Sequence, residues 1–203
     1  NMKRNDLLKC IAETGYNVGF GAKKHFATYD LVEKSPGWIS FISIAFGIYS
    51  LAFKELSTSF LSASFTVLGV VGLYVSMYDT KKIDYEKAGI ELTKIYNELR
   101  TLYYSVQNKS DNDDLSLLIR EYRQLESQYY SVSLSKQILF SDWYAHYKFF
   151  WQHQIEWVNE QKNFKFFRDK VPLSFYMFLV VVIIMAICFI YKAKISACLS
   201  ALF

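Results

Sequence analysis

Two apolar stretches separated by a very short polar break dominate this chain. Trp38–Phe53 is apolar, Lys54-Glu55-Leu56-Ser57-Thr58-Ser59 is the break, and Phe60–Tyr78 is apolar again. A third apolar run, Val171–Tyr191, lies near the C-terminus. A helix needs roughly 20 apolar residues, within about 17–25, to cross a bilayer core. The runs at 60–78 and 171–191 meet that length, and the first is completed by Gly37 at one end or Leu56 at the other. A linker at 54–59 is too short for a domain, so the first two spans are expected to be antiparallel neighbours. The mean hydropathy of only +0.09 hides this, because the apolar residues are clustered, and local runs decide insertion.

The flanks set an orientation. Lys3, Arg4, Lys9, Lys23, Lys24 and Lys34 precede the first span, and only Lys54 lies in the linker. Lys81, Lys82 and Lys87 follow the second span, and Lys162, Lys165, Arg168 and Lys170 precede the third, which only Lys192 and Lys194 follow. Basic excess marks the cytoplasmic side. The N-terminus and residues 79–170 are therefore expected in the cytoplasm, with the linker and the C-terminus outside. The five regions are 1–36, an amphipathic N-terminal helix region; 37–78, the transmembrane hairpin; 79–170, a cytoplasmic helical bundle; 171–191, a third span; and 192–203, an amphipathic tail.

Within 2–36, Gly15–Gly21 predicts a helix break, and Pro36-Gly37 predicts the turn into the membrane. The hairpin carries small and hydroxyl residues at helical intervals: Ser40, Ser43, Gly47 and Ser50 on the first span, and Ser62, Thr66, Gly69, Gly72 and Ser76 on the second. Such stripes let helices approach closely in lipid. They read either as a packing seam or as the lining of a polar path in an oligomer. No charge lies inside either span, which argues against a strongly ion-selective ring.

Past the second span, Tyr85, Ala88, Leu92, Ile95, Leu99, Leu102 and Val106 alternate steps of three and four, a coiled-coil seam. A polar break at 107–114 leads into a second such helix with Leu115, Leu118, Tyr122, Leu125 and Tyr129, predicting a long antiparallel helical hairpin. From Asp142 a third cytoplasmic helix, crowded with Trp143, Tyr147, Phe150 and Trp157, leads toward the third span. Trp38, Trp157, Lys162, Lys165, Arg168 and Lys170 are the expected membrane-interface anchors. Interleaved aromatic and basic residues also line nucleic-acid sites, but these abut a span, so no direct nucleic-acid partner is expected. The fold class is an all-α membrane protein: a transmembrane hairpin, a long cytoplasmic helical hairpin, and a third cytoplasmic helix leading into a third transmembrane helix.

Catalytic signals are missing from the sequence. Asp111–Asp114 fails the EF-hand pattern, with Ser116 and Tyr122 where glycine and glutamate belong, and reads as a turn with a helix cap. His146, His153 and Glu156 lack zincin spacing. Cys10, Cys188 and Cys198 fit neither a disulfide framework nor a zinc site. No phosphate-binding glycine loop occurs, and no cofactor, metal or catalytic residue is expected; the chain reads as a non-enzyme.

The run Leu68–Ser76, followed by Asp84-Tyr85, Ala88, Glu91-Leu92, Ile95-Tyr96 and Glu98-Leu99, resembles the SLATT proteins, the SMODS and SLOG-associating two-transmembrane effector domains. The similarity extends from about Tyr16-Asn17 to about Val132, and this chain departs from the family by an additional C-terminal span. The resemblance implies an anti-phage or conflict-system effector that oligomerises and perforates or depolarises the inner membrane. It also implies a cytoplasmic defence partner, a nucleotide-signalling enzyme or a reverse transcriptase. The resemblance supplies no site residues. The rival reading is a membrane-tethered coiled-coil scaffold that recruits a soluble enzyme.

Overall fold

The computed structural model describes the backbone of residues 2–53 and 58–200 and the side chains of 2–53 and 59–192. Most of the expected 54–59 linker and the last residues of the expected tail lie outside the described residues. The elements are α1 (Arg4–Ala52), α2 (Thr58–Asp79), α3 (Lys82–Gln107), α4 (Ser116–Val132), α5 (Ser141–Gln152), α6 (Glu156–Lys162), a π-helical turn (Phe166–Lys170) and α7 (Leu173–Ser200). The protein is an all-α membrane protein: three helices, within Arg4–Ala52, Ser59–Asp79 and Leu173–Lys192, are long and apolar enough to cross a bilayer. Two compact units emerge, Asn1–Asn163 and Phe164–Phe203.

The spine of the first unit is α1. Its 49 residues make a rod about 74 Å long at 1.5 Å per residue. Neither expected interruption occurs, because the residues that looked like breakers serve other ends. Gly15 and Gly19 sit where aromatic rings press on the helix. A methyl group on Gly19 would stand 2.7 Å from Tyr96 Cε2 and 2.9 Å from Phe149 Cε2, and one on Gly15 would overlap the Trp157 indole. Glycine is there to admit rings, not to end the helix. Pro36 lies inside α1 and forfeits one backbone bond to the turn before it. Tertiary contacts hold both sides: Val32 is buried, and Ile39 reaches the backbone of Gly72 in α2.

Along this spine α2 and α3 run in succession, both antiparallel to it. Phe60 rests against Phe46, with ring centroids 6.4 Å apart, and Glu33 pairs with Lys82 at 2.8 Å. Farther along, Phe26 meets Gly89 and Leu92 meets Gly21. At the far end Arg4 donates to the carbonyls of Val106 (3.3 Å) and Gln107 (2.7 Å). A cation there also complements the partial negative charge of the α3 C-terminus.

The predicted α3 seam is buried at Tyr85, Leu92, Ile95, Leu99 and Leu102. Its principal partner is α1 rather than α4. The facing seam on α1 is made of Leu7, Ile11, Thr14, Val18, Ala22, His25 and Val32; the sequence reading expects Leu7, Ile11, Val18 and Val32 on the apolar face of the N-terminal region but not Thr14, Ala22 and His25, which are small or polar. Helix α4 also packs on α3. It buries Tyr122 and Leu125 and leaves Leu118 half-exposed. Between α3 and α4, Asp114 accepts from the Ser116 amide at 3.0 Å and Asp113 from the Ser110 amide at 2.9 Å, the turn role read from the sequence, while the N-cap position of α4 itself falls to Leu115 and carries no side-chain cap.

The single third helix expected from Asp142 is instead α5 and α6, parted at His153–Ile155. Both parts face α1, Phe149 against Gly19 and Trp157 against Gly15. Phe149, Phe150, Trp157 and Val158 are all buried. Asn163, in the left-handed region at φ 50°, ends α6. In the second unit, Asp169 closes the π-helical turn by accepting from the Lys165 amide at 2.8 Å and from Arg168 Nε. Helix α7 follows and runs past the expected end of the third span to Ser200.

Candidate functional site

Where the hairpin meets the bundle, residues 133–140 form a strap between α4 and α5 that is held almost wholly by side-chain-to-backbone hydrogen bonds. The Tyr85 hydroxyl donates to the Lys136 carbonyl at 2.6 Å, and the Tyr78 hydroxyl to the Gln137 carbonyl at 3.3 Å. The Tyr74 hydroxyl accepts from the Leu139 amide at 3.0 Å. Thr28 donates to the Gln137 side-chain carbonyl. Thus α1, the last turn of α2 and the first turn of α3 are clasped by one short segment. Beneath the hydrogen bonds, Ile138 is buried with Val32, Val75, Tyr78 and Tyr85, so the clasp has an apolar floor.

His25 pins the start of the strap. Its Nδ1 lies 2.7 Å from the Gly21 carbonyl and so carries the proton. Its Nε2 then accepts from the Leu134 amide at 3.0 Å, with the Gln137 amide nitrogen 3.4 Å away. The ring is neutral in this arrangement. Burial lowers its pKa, Lys24 adds to that, and the Gly21 carbonyl opposes it.

Two ion pairs fix α5 beside the clasp. Lys24 meets Asp142 at 2.7 Å, and Lys148 pairs with Asp30, which Lys34 also reaches at 3.0 Å. Burial opposes the charge on Asp30, but the hydrogen bonds from Lys148 and Lys34 outweigh it and hold the carboxyl below its usual range.

On the other side of α1, Trp157 is the largest fully buried side chain. Its indole N–H donates to the Tyr96 hydroxyl at 3.0 Å, and that hydroxyl donates to the Gln154 carbonyl at 2.7 Å. Tyr103 donates to Glu160 at 2.8 Å. Trp157 therefore belongs to the bundle core, not to the membrane interface where the sequence reading put it. Its neighbour in sequence, Lys162, lies over the Tyr16 ring at 5.5 Å. Burial pushes the Tyr96 hydroxyl pKa up, and burial, followed by Lys23 and Arg100, pulls His153 down to about 4.

A family model, the SMODS and SLOG-associating 2TM effector domain 6, matches residues 2–179. The chain belongs to this SLATT family. No curated protein and no solved structure matches it. The match takes in the whole hairpin, the clasp and the bundle, and ends within α7. Membership makes the chain a membrane effector domain by family.

In this SLATT chain the small-residue stripe divides. Ser43, Gly47 and Ser50 are half-buried and Ser40 is exposed, whereas on α2 only Gly72 is half-buried and Ser62, Thr66, Gly69 and Ser76 are exposed. The half-buried positions of α2 are instead Leu61, Ser64, Leu68 and Gly72. The hydroxyls bond to their own helices: Ser50 to Gly47, Thr66 to Ser62, and Ser76 to Leu73, at 2.7–2.8 Å. Their polarity is thereby satisfied without a second helix. Of the expected anchors, Trp38, Lys165 and Arg168 are exposed and Lys170 is half-exposed. Among the described residues no group of three His, Cys, Asp or Glu is arranged to hold a metal. Tyr85 was read as part of the α3 seam, but the hold of Tyr74, Tyr78 and His25 on the strap escaped the sequence reading, although Tyr74 and Tyr78, four apart, share one face of α2.

Proposed function

We propose that this chain is an inner-membrane effector of a prokaryotic anti-phage or conflict system. It acts as an oligomer whose hairpin permeabilises or depolarises the membrane when a cytoplasmic partner acts on the bundle. Basic residues around the spans favour a cytoplasmic N-terminus and cytoplasmic residues 79–170. The family description favours a partner of the nucleotide-signalling or SLOG type. One observation carries the reading. Helix α1 holds bundle contacts from Leu7 to Val32 and continues unbroken to Ala52, so a push on the bundle reaches the first span without a joint. The clasp ties the second span to the same helix, which gives the two-state element a switch needs.

The test is membrane potential after induced expression, in the wild type and in a chimera whose hairpin is replaced by unrelated spans. Loss of depolarisation in the chimera supports the effector reading. A chimera as active as the wild type would establish the tethered scaffold instead.

A further inference from the structure

The clasp fixes the depth of two exposed apolar residues. Tyr74 lies five residues before the end of α2 at Asp79, which is about 7.5 Å along the helix axis. Its hydroxyl holds the Leu139 amide at 3.0 Å and lies 3.5 Å from the Tyr78 hydroxyl, so the strap runs beside the last two turns of the second span. There Ile138 is 5 % exposed, buried beside Val75, while Leu139 is 62 % and Phe140 56 % exposed. Phe140 adopts the left-handed region at φ 67°, a genuine outlier for so bulky a residue. Trp143 packs edge-on against it with centroids 5.3 Å apart. On α5, Tyr144 lines a niche with Leu31, Ser35 and Trp38, and Trp38 opens the first apolar span. Lys136, over the Tyr78 ring at 5.2 Å, supplies a cation beside the last turn of α2.

We propose that Leu139 and Phe140, flanked by Trp143 and Lys136, form a wedge inserted into the headgroup–acyl boundary of the bilayer that the hairpin spans. An interfacial element buries its apolar face about 5–10 Å into that boundary, a range comparable to the last two turns of α2 beside which Leu139 lies. The exposed neighbours on α2 at this level, Leu73 and Met77, are lipid-facing residues of the span itself. A soluble partner would have to compete with lipid for the surface. The wedge makes the bilayer a ligand of the strap: lipid packing bears on the clasp directly. The inference rests on the hairpin crossing the membrane, and the experiment separates the two claims.

The full chain, with Cys10, Cys188 and Cys198 changed to serine, receives a single cysteine by Leu139→Cys, Phe140→Cys, Leu73→Cys or Leu117→Cys. Each is labelled with nitrobenzoxadiazole in vesicles of phosphatidylcholine with a minority of phosphatidylglycerol. Labels at 139 and 140 should be quenched by brominated lipid and be severalfold less sensitive to aqueous iodide than the label at 117, which stands on α4. Iodide quenching at 139 and 140 equal to that at 117 overturns the wedge. So does resistance to both quenchers, which would mean that protein covers the site. A label at 73 quenched by iodide would sink the spanning hairpin itself. Hydroxyl-radical footprinting of the unmodified chain in the same vesicles guards against misfolded variants. Protection of Leu139 and Phe140 beside oxidised Leu117 and Tyr130 supports the wedge, and equal oxidation of all four overturns it.

Discussion

Gly19 is clamped between Tyr96 and a second ring: a β-carbon there would lie 2.7 Å from Tyr96 Cε2, with Phe149 at 2.9 Å on the other side. Neither ring has room to yield, since both are buried and Tyr96 is tied by its hydroxyl to Gln154.

Gly19→Ala should therefore destabilise the bundle by about 1–3 kcal/mol, the usual cost of overpacking. Gly37→Ala, where nothing lies within 4 Å, is the control. It should be neutral or stabilising by about 0.5–1 kcal/mol, as alanine usually is over glycine in a helix. Denaturant titration in detergent, followed by tryptophan fluorescence, measures both.

Tyr85→Phe removes the hydroxyl that holds the Lys136 carbonyl. The loss should be about 1 kcal/mol, felt locally as faster amide exchange across 134–139 rather than across α3. In cells, a loosened clasp should raise basal depolarisation. Unchanged exchange in the strap would deny the clasp its mechanical role.

The strap should also loosen in acid. Unfolded histidine takes a proton near pH 6.5, whereas folded His25 does so at lower pH because burial disfavours its charge. Above about 6.5 both states are neutral and the contribution of the ring is whole. As pH falls below about 6.5 the open state gains a proton that the closed state resists, because Nε2 faces the Leu134 amide, and the contribution is lost by the time pH has fallen through the lower folded pKa. Protection of that amide, corrected for intrinsic exchange, should fall between pH 7.5 and about 5. In His25→Asn it should stay flat with pH.

Gly69→Leu tests assembly. Nothing lies within 4 Å of a β-carbon there, so a single chain has space for the side chain and should fold and insert normally. If small residues of α2 meet a second copy, as close helix packing in lipid requires, the variant should lose toxicity and shift in cross-linking. Full toxicity would remove this face from the interface.

The spans and the α3 seam were legible because each rests on a local pattern: a run of apolar residues, or a repeat of three and four. Trp157 was not. A tryptophan near Lys162 and Lys165 looks interfacial until Gly15, far away in sequence, is seen to open a seat for it. The continuity of α1 was hidden for the same reason, since glycine punctuates a helix locally yet here accommodates rings from distant segments. The strap carries no motif at all. Its order comes from three tyrosine hydroxyls, the Thr28 hydroxyl and one imidazole supplied by other elements.

Because α1 is gripped along one half and immersed along the other, it works as a driveshaft. Whatever turns the bundle end turns residues 38–52 with it, and the lipid-facing side of the first span is thereby chosen by side chains packed inside the bundle.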